Sequence, residues 1–143
     1  ISERTGIHRR TVADRIVATP GTPEYGVLSV LVQWRAVVTR LLAIPPGAFR
    51  PPPEVRSALI RLTFRPPPFE LKDSALFERM VRSMFTQRRK TLRNSLRTFL
   101  SPADFDTLAM DPMARAENLG VADYASIANF VALRGNGRVD QSA

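Results

Sequence analysis

The chain contains no cysteine and only one histidine, His8. Disulfides and thiolate metal sites are therefore excluded, and one imidazole cannot build a zinc or iron centre alone. The missing cysteine fits a reducing compartment. No apolar run approaches the roughly 20 residues needed to span a bilayer. No apolar segment of signal-peptide type follows Ile1-Ser2-Glu3-Arg4. The expectation is a soluble, cytoplasmic chain with no membrane partner. Acid is scarce as well: Asp+Glu 13 against Lys+Arg 21 leaves a net charge of +8 over 143 residues. Such an excess points to a polyanionic partner, nucleic acid or an anionic surface, and a solvated basic face is the plain alternative. The 44% hydrophobic content supports a real core, in one modest domain or parts of two.

What is present divides at its prolines. Residues 11–19 place Val12, Ile16 and Val17 on one helical face, and Pro20-Gly21-Thr22-Pro23 stops that helix. Val27 to Trp34 reads as a buried helix, with a buried strand as the competing assignment and Trp34 as core. Val37–Ile44 opens on β-branched residues and predicts a strand. A proline-rich connector leads to Ser57–Phe64, where Ala58, Ile60, Leu62 and Phe64 alternate; the two strands are expected to pair antiparallel. Pro66-Pro67-Pro68 marks the expected boundary. Beyond it Asp73 is a plausible N-cap for a helix with Phe77, Met80, Val81, Met84 and Phe85 on one stripe. A second helix is predicted from about Gln87 to Leu100, with Leu92, Leu96, Phe99 and Leu100 inward. Ser101-Pro102-Ala103-Asp104 has the form of a helix start. A last helix, about Val121 to Leu133, is expected to bury Tyr124, Ala128 and Val131, leaving 135–143 as a tail. The fold class is thus α/β plus all-α. Residues 1–66 form an α/β remnant of helices and an antiparallel strand pair, and 70–134 a small helical domain. The remnant is too small to cover a sheet on both faces, so further strands are expected before Ile1.

The strongest chemical signal is Thr86-Gln87-Arg88-Arg89-Lys90-Thr91-Leu92-Arg93-Asn94-Ser95-Leu96-Arg97. On one continuous helix Arg89, Arg93 and Arg97 fall at i, i+4 and i+8, with Lys90 beside them. The apolar stripe docks on a core while the cations form a ridge suited to a phosphate backbone. A salt-bridged solvent face is the alternative, but no Asp or Glu occurs between Arg79 and Ser101, and unpaired like charges at this spacing repel. In Phe49-Arg50-Pro51-Pro52-Pro53-Glu54-Val55-Arg56-Ser57 the prolines fix the backbone around Phe49. That ring either stacks on an unstacked base or packs into the core; a polyproline ligand is a further possibility. Asp104, Asp106 and Asp111 lie in caps and turns without metal-ligand spacing. Gly135-Asn136-Gly137 has no strand before it and is no nucleotide loop. His8 sits in a basic patch with Arg9 and Arg10 and reads as solvated. No catalytic constellation, cofactor site or metal site can be assembled from these residues.

Three motifs in order carry a resemblance over about residues 11–134. Phe49-x-Pro51-x-Pro53-x-Val55-x-Ser57 followed by Arg61-Leu62 resembles the end of the methyltransferase domain of ribosomal RNA adenine dimethyltransferases. Phe85-x-Gln87-Arg88-Arg89-Lys90-Thr91-Leu92-Arg93-Asn94-Ser95-Leu96 resembles the signature of the housekeeping small-subunit branch. Arg115-Ala116-Glu117-Asn118-Leu119, with Tyr124 and Ala128-Asn129, resembles its closing segment. The resemblance implies a Rossmann-like methyltransferase domain ending near residue 66 and a helical RNA-binding domain. It implies transfer of methyl groups from S-adenosyl-L-methionine to N6 of two adjacent adenines near the 3′ end of small-subunit ribosomal RNA, on a flipped-out base. The partner would be the immature small ribosomal subunit, engaged by a monomer. Phe49 would lie by the target adenine, and Arg88, Arg89, Lys90, Arg93 and Arg97 on the RNA-facing surface. The family's glycine-rich donor loop, its ribose-binding acid and its Asn-Leu-Pro-Tyr-type motif have no counterpart here, and residues 1–10 do not look like the segment expected before Val12. The chain is therefore expected to be the C-terminal part of such an enzyme, inactive alone. A non-catalytic nucleic-acid-binding module is the alternative. A large-subunit macrolide-resistance methyltransferase is disfavoured by the Gln87–Leu96 motif.

Overall fold

The computed structural model describes residues 12–44 and 57–142. These divide into two compact units, Ile1–Pro67 and Pro68–Ala143. In the first, helix α1 (Val12–Val17) is followed by a turn in which Gly21 takes φ +88°, a left-handed conformation that glycine adopts without strain. Helix α2 (Val27–Arg35) then runs directly into strand β1 (Ala36–Ile44), which pairs antiparallel with β2 (Ser57–Phe64). The helical reading of Val27–Trp34 is the one observed, and Trp34 is buried.

Polar side chains hold the helices together where their end carbonyls lack partners. The Gln33 amide donates to the carbonyls of Ile16 and Ala18, both at 2.8 Å, at the end of α1. The buried Ser29 hydroxyl accepts the Gly26 N–H at 3.1 Å and donates to the Arg15 carbonyl. At the end of α2 the Arg65 guanidinium reaches the carbonyls of Gln33 (2.9 Å) and Trp34 (3.2 Å). Strand pairing sets Ala36, Val38 and Arg40 opposite Phe64, Leu62 and Ile60. On this face Arg40 reaches across to Asp14 of α1. The register shifts between Arg40 and Leu42, a bulge, and the opposite face presents Val37, Leu42 and Leu59, each about half exposed.

In the second unit Asp73 caps α3 (Ser74–Thr86), its carboxylate accepting the Leu76 N–H at 3.0 Å. Leu76, Phe77, Met80, Val81 and Met84 recur at helical spacing and are buried. Helices α4 (Leu92–Ser95), α5 (Pro102–Leu108) and α6 (Val121–Ser142) follow, with a 3-10 turn at Ala116–Asn118. Leu92, Leu96, Leu100, Phe105, Tyr124, Ile127 and Ala128 complete the core. The Asn129 side chain fastens the entry to α3, donating to the Glu70 carbonyl at 3.0 Å and accepting the Lys72 N–H at 2.8 Å. No helix among the described residues is long and apolar enough to cross a membrane.

Expectations from the sequence are corrected in two stretches of the second unit. The helix predicted from Gln87 to Leu100 does not exist as one element. α3 stops at Thr86, and between Gln87 and Leu100 only Leu92–Ser95 is helical. A continuous helix would bond the Leu92 and Arg93 amides to the carbonyls of Arg88 and Arg89. Instead they donate to Ala114 (2.7 Å) and Pro112 (2.9 Å), so a distant loop has taken the bonds that helix propagation needs. Phe99, expected inward, is only partly buried. At the other end α6 continues to Ser142 instead of ending at Leu133. Each added residue of an established helix gains a hydrogen bond, and single glycines such as Gly135 and Gly137 cost only about 1 kcal/mol each. Val131 is half-buried, and the neighbouring Ala132 takes the buried position.

Candidate nucleic-acid interface

The cationic segment lies where α3 ends. The Gln87 N–H caps α3 by bonding Met84 and Ser83 carbonyls, and the Lys90 N–H closes a turn onto Gln87 at 2.9 Å. Arg88, Arg89 and Lys90 occupy this turn, Arg93 sits on α4, and Arg97 follows α4. The i, i+4, i+8 ridge is thus replaced by cations displayed from a turn, a short helix and a second turn. Leu92 and Leu96, with 0% exposure each, anchor this segment from beneath.

The five predicted cations do not share one environment. Arg89, Lys90, Arg93 and Arg97 are exposed, and their side chains form no ion pair with the described residues. Arg88 is different. Its Nε lies 3.3 Å from Glu117 Oε1, and its guanidinium stands over the Phe85 ring at 5.7 Å. Phe85 in turn stacks on Tyr124, centroids 5.7 Å apart and planes 25° from parallel. The Tyr124 hydroxyl donates to the Ala116 carbonyl. The acid missing from the local sequence is thus supplied to Arg88 by the 3-10 turn.

The structure adds a cation that helical spacing could not find. Thr91 forms an isolated antiparallel bridge with Arg115. Leu92 and Ala116 turn inward and are buried, so the alternate residues Thr91 and Arg115 face the other way, and Arg115 is exposed beside the cationic turn. The sequence signal for it lay only in the closing motif beginning at Arg115. Phe49 lies outside the described residues, as does His8.

In the first unit a cavity of about 380 Å³ is lined by Asp14, Val17, Ala18, Thr19, Thr22, Glu24 and Arg40. Its Asp14 is held by Arg40, and no aromatic ring or glycine-rich turn lines it. These residues do not fit the adenine, ribose and methionine ends of S-adenosyl-L-methionine.

The model of the ribosomal RNA adenine dimethylase family matches residues 6–133. The chain belongs to that family. Among curated dimethylase relatives, the "Ribosomal RNA small subunit methyltransferase A" of Aromatoleum aromaticum is 48% identical over 137 residues, covering 94% of this chain and 51% of its own length. The protein of the same name from Pseudomonas aeruginosa is 46% identical, covering 90% of this chain and 48% of itself. The chain therefore spans about half the length of the curated relatives it matches. Among solved structures, a dimethyladenosine transferase from Plasmodium falciparum shares the dimethylase fold with a TM-score of 0.73 at 21% identity, over 86% of this chain and 54% of that one. The 23S rRNA methyltransferase ErmE aligns with a TM-score of 0.55 at 22% identity, over 83% of this chain and 50% of that one.

Proposed function

We propose that this chain is the C-terminal, RNA-gripping part of a small-subunit ribosomal RNA adenine dimethyltransferase. The whole enzyme would transfer methyl groups from S-adenosyl-L-methionine to N6 of two adjacent adenines near the RNA's 3′ end, on the immature small subunit. The observation that carries the RNA-binding role is the exposure of Arg89, Lys90, Arg93 and Arg97 without acid partners among the described residues, with Arg115 alongside. Cations so arranged neutralise phosphates and release counterions. Family membership and the relatives' names supply the reaction class. Phe49 is the proposed contact to the target adenine, and the donor is held by parts of the fold that these residues do not provide.

The test is a salt titration of binding to a short RNA carrying the 3′-terminal hairpin of the small-subunit RNA. Arg89→Gln, Arg93→Gln and Arg97→Gln together should weaken binding and reduce the slope of log affinity against log salt by about 2–3, near 0.7–0.9 per lost phosphate contact. Unchanged affinity and slope would reassign these cations to solvation.

A further inference from the structure

We propose that Arg88 does not grip RNA and is instead a positioning residue, holding the 3-10 turn so that Arg115 joins the cationic surface. This rests on the RNA-binding reading of that surface. Four side chains and one carbonyl form a closed ring of contacts. Phe85 at the end of α3 stacks on Tyr124 of α6, the Tyr124 hydroxyl holds the Ala116 carbonyl, Glu117 pairs with Arg88, and Arg88 returns to cover Phe85. The 3-10 turn is thus tied on two sides, and the residue just before it, Arg115, is the one bridged to Thr91.

Burial separates Arg88 from its neighbours in sequence. Its side chain is 33% exposed and that of Glu117 is 32% exposed, whereas Arg89 and Lys90, which follow it in the same turn, are open to solvent. If Arg88 turned toward a phosphate, Glu117 would be left half-buried, unpaired and facing a polyanion. Both the lost pair and the new repulsion oppose that move. A guanidinium stacked on a ring and aimed at a carboxylate also uses the planar geometry that distinguishes arginine from lysine.

Glu117→Gln separates the two roles. Removing an acid beside an RNA site strengthens binding by simple electrostatics if Arg88 contacts phosphate, because it frees that cation. If Arg88 positions the turn, Glu117→Gln weakens binding although the chain becomes more positive. We expect Glu117→Gln and Arg88→Gln each to lower affinity for the hairpin RNA about threefold to tenfold. The salt slope should fall equally in both variants, by no more than the one contact that Arg115 makes, about 0.7–0.9. The charge-swapped pair Arg88→Glu with Glu117→Arg should recover most of the loss. Tighter binding by Glu117→Gln, or a slope reduced in Arg88→Gln but not in Glu117→Gln, overturns the proposal. If the wild-type chain binds no RNA, the RNA-binding reading fails. The latch is then read alone by hydrogen exchange of the Arg115–Leu119 amides, which should speed up in both single variants. Unchanged exchange there overturns the latch.

Discussion

Asp104 is a buried carboxylate with two partners. It accepts the Ser101 N–H at 2.7 Å and pairs with the Arg134 guanidinium, which stands over the Phe130 ring at 4.9 Å. The Ser101 amide, and then Arg134, hold its carboxyl below the ordinary value, while burial opposes them. A carboxyl so lowered stabilises the fold while ionised. Its contribution is complete above about pH 4 and is lost as pH falls further, through the lowered value. Thermal melting from about pH 6 to about pH 3 should therefore show a steeper acid loss in the wild type than in Asp104→Asn. Parallel curves would assign the acid sensitivity elsewhere. At this scale the sequence was legible where a residue acts on its own neighbours: Ser101, Pro102 and Asp104 start α5 as their order predicts. It was not legible where a partner arrives from afar. Nothing within reach of Arg88 along the chain announces Glu117, and Arg134 gives no local sign of its pairing with Asp104.

Among the elements, α3 shows what local pattern can decide. Its cap and its apolar stripe agree with one another, and the structure keeps both, apart from the half-buried Phe85. Asp73→Ala removes the acceptor of the Leu76 N–H and should cost about 1 kcal/mol, with a range of about 0.5–2, while Asp73→Asn should be nearly neutral. Urea unfolding measures this as a shift in midpoint at constant slope. An equal loss in both variants would deny the cap its role. The stretch after α3 shows the limit of the same reasoning. Leucines at 92, 96 and 100 have helical spacing and are all buried, yet the backbone is mostly turn. Periodicity reports which side chains face inward. It does not report that the amides of Leu92 and Arg93 find acceptors at Ala114 and Pro112. The inward residues were thus read correctly, apart from the half-buried Phe99, while the cation spacing built on the same helix was not.

At the scale of the whole chain, the described residues of the first unit hold a two-stranded sheet with an apolar face at Val37, Leu42 and Leu59. Such a face is costly in water and stabilising once covered, at roughly 25 cal/mol per Å² removed from solvent. The chain spans about half of each curated relative named above. Incubated with labelled S-adenosyl-L-methionine and undermodified small subunits, the 143-residue chain should transfer no methyl groups. Adding the N-terminal half of a relative as a separate polypeptide should restore transfer if that face is what the half covers. Robust transfer by the chain alone would overturn this division of labour. The antiparallel strand pair was legible in the sequence, from the β-branched start of the first strand and the alternation in the second; the bulge at Arg40–Leu42 was not, since alternation reads the same on either side of it.

The bridge between Thr91 and Arg115 has a thermodynamic consequence. A cation set assembled from two separate stretches of chain exists only while the second unit is folded, so RNA bound there as proposed would favour the native state. Free RNA at a hundred times its Kd would raise the unfolding free energy by about 2.7 kcal/mol. Salt, by loosening the RNA, would take that increment away without touching the apolar core. The measured robustness of this unit would then depend on the company it keeps as much as on its own packing.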